Sequence, residues 1–477
     1  MILDDRNILA EIVNLAKAIK TFSNIKCEYP LDIEILERLD KICAVKDIYR
    51  HYDEIFELWS TLIEKAIKCL KYHDKREPFL DSNSKIPVVY GMDKLKDYFT
   101  KYSDFEGLLY GADKYYRDHV FHAFRTWATG VYFLLTENMA LLKAMKTDGV
   151  KLSNFNISEL ELISMWTVAA LCHDLGYPLE KARYILAKTK DMTQSIVGES
   201  EIWADMSFSG IQEEINLMIL KFMSSKMMEG AASEKQDEPI YKMRVQPKYY
   251  IKLCKSLEKH AHGVLSTIVL IKSLVYFMES EFGVNEDGDF NRGDHKQFYI
   301  KREILRAIAF HTCSDIYHMS ASSLPFLLLL CDEVQNWDRR NWKAHYTGQQ
   351  NETLIEIQEI SSTKISFSEK LEMKNYDHIL DFIVRIQQDF EKLKIILRDG
   401  IDTIKRDFDF YKTVTIKIQN KIRVEISLKI PKNSRAVLIF SAIDIGKRTL
   451  NGKIINAKEN QFHFKLLEEG KYMIESR

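Results

Sequence analysis

The sequence lacks three features that would quickly assign it to a class of protein: long hydrophobic runs, an excess of charge of one sign, and paired cysteines. Its longest strongly apolar run, Leu324 to Cys331, is far too short to cross a bilayer, so we expect no membrane span. The 68 lysines and arginines nearly balance the 69 aspartates and glutamates. A global electrostatic attraction to nucleic acid or to an anionic membrane is therefore not expected, although a local basic groove could exist.

Cysteines are few, and none are paired in the sequence. The seven cysteines are an odd number, and none belong to a Cys-x-x-Cys pair. This pattern excludes a disulfide framework and a thiolate zinc cluster, and it fits a reducing compartment. The N-terminus, Met1 to Val13, carries acidic residues early and has no long apolar core, so it resembles neither a signal peptide nor a transit peptide. We therefore predict a cytoplasmic protein.

Helical periodicity dominates the chain up to about residue 345. Apolar residues recur at helical spacing over 8–19 and 48–63. Further helices are predicted near 116–146, 158–174, 178–188, 200–226, 248–282, 299–312 and 322–337. The polar stretches Ser224 to Pro239 and Gly283 to Asp294 are predicted to be loops. We expect a helical N-terminal extension over residues 1–95 and a helical domain over residues 96–345.

The pattern changes after residue 346. Apolar and polar residues alternate, as in strands, over 353–357, 364–367, 413–418, 423–428 and 436–440. Asn375 to Leu397 has the periodicity of an amphipathic helix. We therefore predict a separate α+β module over residues 346–477, and a fold class that is mainly α with this smaller C-terminal α+β module. A regulatory or oligomerising role for this module is possible, but only its position at the end of the chain suggests it.

An adjacent imidazole and carboxylate follow one of the most apolar predicted helices. The run Trp166 to Cys172 leads directly into His173 and Asp174, after which Gly176 and Pro178 end the regular structure. Polar side chains at the end of a buried helix are costly unless something pairs with them. This pair is therefore a candidate for metal binding.

Four further segments place a side chain that could bind a metal where a helix should bury apolar surface. They are Tyr116–Trp127 with His119 and His122, Lys259–Val264 with His262, Ile308–Thr312 with His311, and Leu327–Glu333 with Asp332. His119 and His122 are three residues apart and so share a helix face. Asp332 follows four leucines, and an unpaired buried carboxylate there would cost on the order of several kcal/mol.

The order His, His-Asp, His, His, Asp resembles that of the HD-domain superfamily of metal-dependent phosphohydrolases. The resemblance covers about residues 105–340, and Tyr116–His122, His173–Gly176 and Cys331–Trp337 carry most of it. It implies the helical bundle of an HD domain. It further implies two divalent ions, one held by His122, His173, Asp174 and Asp332, and one that Asp174 bridges to and that His262 and His311 hold.

The resemblance also implies an activity. Imidazole and carboxylate ligands without thiolate suit iron, manganese, nickel or zinc, and two such ions can activate a bridging hydroxide. The implied reaction is hydrolysis of a phosphate ester or anhydride, with His173 and Asp174 as the catalytic pair. A small phosphorylated molecule, namely a nucleotide or cyclic nucleotide, is the expected substrate.

Several assignments stay open at this stage. His122 begins the phrase His-Ala-Phe-Arg and is preferred as the first ligand, while His119 is the alternative ligand, an outer contact or a substrate contact. Arg117, Lys181 and Arg183 are candidate phosphate contacts, although a basic residue of this kind taken alone is more often a solvated surface charge. Further basic residues considered for this role are Lys114, Arg125, Arg302 and Arg306.

Two other functions fit the same residues. A di-iron oxygenase on the same scaffold would need redox-active iron, and a non-catalytic nucleotide-binding or scaffold protein would hold no stoichiometric metal. The sequence shows no clear nucleic-acid signature and predicts no membrane partner, and a homo-oligomer stays open. It specifies neither the substrate nor the native metal.

Overall fold

The computed structural model covers the 477-residue chain. The residues that it describes are 1–19, 28–45, 47–74, 88–112, 118–136, 156–197, 211–229, 240–278, 290–313, 315–316, 323–339, 352–360, 364–373, 409–418, 425–429, 435–442, 453–456, 461–465 and 470–475.

The predicted fold class is confirmed: the chain is mainly helical, with strands concentrated after residue 351. The described α-helices are α1 (Asp5–Ala18), α2 (Ile33–Cys43), α3 (Tyr52–Tyr72), α4 (Met92–Ala112), α5 (Val120–Leu135), α6 (Glu159–Cys172), α7 (Tyr177–Val197), α8 (Ile211–Ser224), α9 (Pro247–Glu258), α10 (His262–Ser273), α11 (Arg292–Phe310) and α12 (Leu324–Val334). Short 3-10 turns occupy Ile48–His51 and Val275–Phe277. None of the helices described is at once long enough and apolar enough to cross a membrane.

The strands form one larger and two smaller sheets. They are β1 (Ile2–Leu3), β2 (Ser225–Glu229), β3 (Tyr241–Val245), β4 (Glu352–Ile360), β5 (Lys364–Met373), β6 (Asp409–Ile418), β7 (Glu425–Lys429), β8 (Arg435–Ala442), β9 (Lys453–Asn456), β10 (Gln461–Lys465) and β11 (Gly470–Glu475). The larger sheet has the order β1-β4-β5-β6-β8-β11-β9, and β2–β3 and β7–β10 pair separately. Strands β5, β6 and β8 are parallel, whereas β4 and β5 are antiparallel.

Helix α6 lies at the centre of the helical part. Residues Leu160 to Cys172 are all buried, so this helix is covered on every side, as its uniform apolarity requires. Ser158 starts the helix with a capping box, in which its side chain accepts from the Glu161 amide and the Glu161 carboxylate accepts from the Ser158 amide. This cap fixes where the helix begins and therefore where its last residue, Cys172, delivers the His173–Asp174 pair.

Two tryptophans connect α6 with α5. Trp127 donates to the hydroxyl of Thr167 (3.0 Å), and Trp166 donates to the backbone oxygen of Trp127 (2.9 Å). Gly130 makes this close approach possible, because a Cβ atom there would lie 1.9 Å from Cζ2 of Trp166. The two helices that carry His122 and His173 are thereby held at a fixed separation.

Two sequence predictions about local structure are corrected. The helix expected over 248–282 is divided into α9 and α10, because His260 adopts a left-handed backbone conformation (φ 56°) that a continuous helix cannot contain. Ser225–Glu229, predicted to be part of a loop, forms strand β2 and pairs with β3, while residues 230–239 lie outside the described residues. Strand β3 also bridges to Phe290, just before α11.

The predicted domain boundaries stay predictions, but the packing bears on them. One buried apolar cluster includes side chains on both sides of residue 95, among them Trp59, Phe99 and Trp166. Strand β1 pairs with β4, so residues at the start of the chain join the sheet of the C-terminal part. The helix predicted over 375–397 lies outside the described residues.

Candidate metal centre

The His173–Asp174 pair lies at the buried end of α6. His173 is wholly buried, and the carboxylate of Asp174 is 8% exposed. Trp59 donates its indole N–H to the Leu171 carbonyl (2.8 Å), one of the last-turn carbonyls that have no partner within the helix. The end of the helix is thus bonded to α3, and the imidazole and carboxylate are directed inward at a fixed position.

The turn after this pair is built for close contact with α10. The Ser266 hydroxyl donates to the His173 carbonyl (2.6 Å) and accepts from the Gly176 amide (2.7 Å). A Cβ atom at position 176 would lie 2.4 Å from the backbone oxygen of His262, so only glycine fits there. This contact brings the start of α10, and with it His262, to the His-Asp pair.

The first group of possible ligands comprises His122, His173 and Asp174, to which Asp332 is adjacent. Ligand atoms of the first three lie within 4.8 Å of one another. Nε2 of His173 is 3.2 Å from Oδ2 of Asp174, and Nε2 of His122 is 3.8 Å from the same oxygen. Oδ1 of Asp332 is 2.9 Å from Nε2 of His122 and 4.0 Å from Nε2 of His173.

The second group of possible ligands comprises Asp174, His262 and His311, and it is centred on the other oxygen of the Asp174 carboxylate. Oδ1 of Asp174 is 3.3 Å from Nε2 of His262 and 3.6 Å from Nε2 of His311. The two Nε2 atoms are 3.2 Å apart. Ligand atoms of these three residues again lie within 4.8 Å of one another, so Asp174 belongs to both groups.

Each of the four histidines has its Nδ1 atom occupied by an acceptor outside the cluster. Nδ1 of His122 donates to Oε1 of Gln335 (2.5 Å). The remaining acceptors are Ala170 O for His173 (2.7 Å), Glu180 Oε2 for His262 (2.8 Å) and Ile308 O for His311 (2.5 Å). In the tautomer that places the proton on Nδ1, each Nε2 atom faces the centre, which is the usual arrangement of metal-bound histidines.

Burial and the two carboxylates set the charge of the site. Burial and the charge of Arg339 lower the pKa of His122 to about 4, although Asp332 opposes this shift. Burial also lowers the pKa of His311, so both rings are neutral near pH 7. Burial alone would lower the pKa of His173, but the adjacent Asp174 and Asp332 raise it to about 9. Burial opposes ionisation of Asp174, yet the charge of His173 holds the pKa of Asp174 well below its usual range.

The donor set fits divalent ions. With ligand bonds of about 2.1 Å, neighbouring ligand atoms on one ion lie about 3.0–3.4 Å apart, and the separations around Asp174 are 3.2, 3.3, 3.6 and 3.8 Å. Nε2 of His173 is buried and has no hydrogen-bond partner among the described residues. The facing Nε2 atoms of His262 and His311 are both acceptors in this tautomer, which is unfavourable unless a cation or a proton lies between them. These buried groups could therefore hold a metal ion.

Thiolates do not contribute to this donor set. Cys172 and Cys331 are adjacent in sequence to His173 and Asp332, but both are fully buried. Burial raises the pKa of each thiol well above its ordinary value, so both remain protonated. The site is therefore one of nitrogen and oxygen ligands, as predicted.

The centre is open to solvent on one side. The side chains of His262 and Asp332 are 19% and 15% exposed, and Glu180 is 32% exposed, whereas His122 and His173 are closed off. Lys181 lies near this side, with Nζ 5.1 Å from the ring centroid of Tyr177, whose ring is 5.4 Å from that of His262. Arg183 lies in α7, but its side chain is outside the described part, as are Arg117 and Lys114 entirely. A phosphate-binding role for these residues stays a prediction.

Three basic residues considered as phosphate contacts are instead part of the internal structure. Arg125 is 1% exposed and bonds both carboxylate oxygens of Asp5 (2.8 and 2.7 Å) as well as Asp338 (3.0 Å). Arg302 and Arg306 are buried or nearly so, and they donate to the backbone oxygen of Ser225 (3.1 and 3.0 Å). These guanidinium groups are thus bonded to Asp5 of α1 and to Ser225 of strand β2.

His119 lies beside the centre but outside both groups. It is the residue before α5, its amide donates to Oε1 of Glu106 (2.7 Å), and its ring packs against that of Tyr177 in a tilted arrangement, with centroids 3.9 Å apart. Burial lowers the pKa of His119 to about 3, so its ring is neutral. Of the two histidines in the first segment, His122 is the one that the fold brings to His173 and Asp174.

Sequence reasoning missed the residues that orient the histidines. Gln335 is fully buried, and neither Gln335 nor Glu180 nor Ser266 was predicted to orient a histidine. Gln335 follows Asp332 by three residues and could have been suspected on that spacing. Glu180 and Ser266 belong to other helices than the histidines they contact, and no sequence signal marks them.

Comparison with known proteins adds no assignment. No family model, no curated protein and no solved structure matches this chain.

Proposed function

We propose that this chain is a metal-dependent phosphohydrolase of the HD-domain type that binds two divalent transition ions, iron, manganese, nickel or zinc. It would hydrolyse a phosphate ester or anhydride, with a nucleotide or cyclic nucleotide as substrate. The observation that supports this most directly is that the two oxygens of the Asp174 carboxylate face different pairs of histidines. Its Oδ2 atom faces His122 and His173, and its Oδ1 atom faces His262 and His311.

The residues divide into two sets of ligands with one shared member. His122, His173 and Asp332 would hold the first ion, His262 and His311 the second, and Asp174 both. Such ions, when bound, supply Lewis acidity at phosphorus and a nucleophile near neutral pH, so no protein nucleophile is needed. Gln335, Glu180 and the backbone acceptors fix the tautomer and orientation of each imidazole, which pre-organises the site.

Substrate would enter from the side of His262, Glu180 and Asp332, because the opposite side is closed by α6. An approaching phosphate meets Lys181 near this opening, and an ammonium group there would neutralise part of its charge. The net charge of the chain is close to zero, so attraction of an anionic substrate depends on this local arrangement.

Metal analysis of the purified protein, followed by a hydrolysis screen over nucleotides and cyclic dinucleotides, tests the proposal. We expect stoichiometric transition metal and hydrolysis of at least one phosphoester. Replacing both His173 and Asp174 by Ala should abolish both while leaving the helical circular dichroism largely intact. Hydrolysis that survives this double substitution would overturn the mechanism. Stoichiometric iron with oxygen-dependent spectral changes and no hydrolysis would indicate an oxygenase instead, and absence of metal would indicate a non-catalytic protein.

A further inference from the structure

Helix α7 carries an alternating row of aromatic and cationic side chains. The row consists of Tyr177, Lys181, Tyr184 and Lys188, and we call it the α7 stripe. Its spacings of four, three and four residues place all four on one face of the helix. Lys181 Nζ lies 5.1 Å from the Tyr177 ring centroid and 6.0 Å from that of Tyr184, and Lys188 Nζ lies 4.5 Å from the Tyr184 centroid.

The α7 stripe begins at the candidate metal centre and runs outward. The Tyr177 ring is 5.4 Å from that of His262, a ligand of the proposed second ion. At a rise of 1.5 Å per residue, Tyr184 lies about 10 Å and Lys188 about 16 Å further along the helix. Tyr184 is 41% exposed, and from there to Asp191 nearly every side chain is exposed. Tyr177 and Lys181 are half-buried and Tyr184 and Lys188 are exposed, so the stripe runs from the metal site outward to solvent.

We infer that the α7 stripe binds a single strand of nucleic acid and leads one of its phosphodiesters to the metal centre. Proteins bind single strands by combining aromatic rings, on which bases stack, with cations that follow the phosphates. In the α7 stripe an aromatic ring and a cation alternate twice along one helix face, as bases and phosphates alternate along a single strand. A mononucleotide held at the metal centre could use the first part of this path but not the distance to Lys188.

This inference rests on the proposed function, because the metal centre would cleave the strand. In that hydrolysis the oxygen of one water forms a bond to phosphorus and one P–O ester bond breaks. The leaving sugar oxygen takes up a proton, which gives a phosphomonoester and an alcohol. No oxidant or further reactant is required.

Fluorescence anisotropy with a labelled eight-nucleotide oligothymidylate tests the inference, with phosphorothioate linkages to slow cleavage and the full-length protein as purified. Base stacking on an aromatic side chain accounts for roughly fivefold or more in affinity. We therefore expect Tyr184→Ala to weaken binding by about fivefold or more and Tyr184→Phe to retain it. Lys188→Ala removes a cation that would neutralise a phosphate, so it should weaken binding more than Lys190→Ala does and should reduce the salt dependence of binding. Lys190→Ala is the matched control: Lys190 is exposed on the opposite face of α7, so binding should change by less than about twofold.

Three results would overturn the inference. One is equal weakening by Lys188→Ala and Lys190→Ala, which would indicate unspecific charge. The second is thymidine monophosphate binding as tightly as the octamer. The third is Tyr184→Ala lowering only the melting temperature, which would mean that the stripe merely stabilises an exposed helix.

Failure of the proposed function would look different. A wild-type protein that lacks metal but binds the octamer through the stripe would contradict only the hydrolase. A wild-type protein that holds metal and hydrolyses bis(p-nitrophenyl) phosphate, but binds no octamer, would contradict only the inference.

Discussion

Glu180 accepts two hydrogen bonds from His262, one from Nδ1 (2.8 Å) and one from the backbone amide (2.9 Å), both at Oε2. A carboxylate behind an imidazole fixes the ring and raises the basicity of the opposite nitrogen. Burial would raise the pKa of Glu180, but these bonds lower it, so the carboxylate is ionised at neutral pH. The other three histidines of the centre have neutral acceptors, so the two proposed metal sites differ in their surroundings.

Glu180→Gln should therefore weaken the second ion selectively. Removing the charge behind His262 is expected to reduce the affinity for one ion about 10- to 100-fold and to leave the other within about twofold. Isothermal titration of the metal-depleted protein with Zn²⁺ would resolve the two steps. Glu213→Gln, an exposed position on α8, is the control and should change neither step. Equal weakening of both steps would contradict the assignment of Glu180 to one site.

Gln335→Leu should weaken the first ion. This change removes the acceptor that holds the His122 Nδ1 proton and leaves the ring free to turn or to change tautomer. We expect about a 10- to 100-fold loss of affinity at that site, visible as an altered absorption spectrum of the Co²⁺-substituted protein. Gln335→Glu keeps an acceptor in place and should restore most of the binding. A Co²⁺ spectrum unchanged in Gln335→Leu would show that Gln335 does not position His122.

The shared position of Asp174 predicts how many ions each substitution removes. His311→Ala should leave about one of two ions per chain, because His311 contacts only one side of Asp174. Asp174→Ala should leave almost none, since both sites lose a ligand. Mass spectrometric metal analysis after gel filtration measures this count. If Asp174→Ala retained as much metal as His311→Ala, the carboxylate would not be shared.

The α5–α6 contact gives a test of packing that is independent of metal. Gly130→Ala would place a methyl group 1.9 Å from Trp166, and the strain should lower the free energy of unfolding by at least about 1–3 kcal/mol. Gly107→Ala in α4 meets nothing within 4 Å and should raise it by about 0.5–1 kcal/mol, because alanine favours a helix. Urea denaturation followed by circular dichroism compares the two. A Gly130→Ala protein as stable as the wild type would contradict the close contact.

Much of the helical fold could be predicted from sequence, because buried helices carry long apolar runs that end at identifiable residues. The helices α6 and α12 were predicted near their observed positions for this reason. Helix α11 begins at Arg292, seven residues before the predicted start and within the stretch that was predicted to be a loop. The break between α9 and α10 was not, since it depends on the left-handed conformation of a single residue, His260, within an otherwise helical pattern. Strand β2 was missed because it is short and polar, and its pairing with β3 is what holds it.

The sequence by itself determined the kind of site. Burying a histidine or a carboxylate at the end of an apolar helix costs free energy unless the group binds something, and the positions of these residues can be recognised from the sequence alone. Only the tertiary structure decided how those side chains are shared. His173 and His311 are 138 positions apart in the sequence, yet both face Asp174, and which of its two oxygens each one faces depends on how α6, α10 and α11 pack. Glu180 and Ser266 have no sequence signature, because a hydrogen bond between two segments that are distant in sequence is fixed by the distance and angle between their helices.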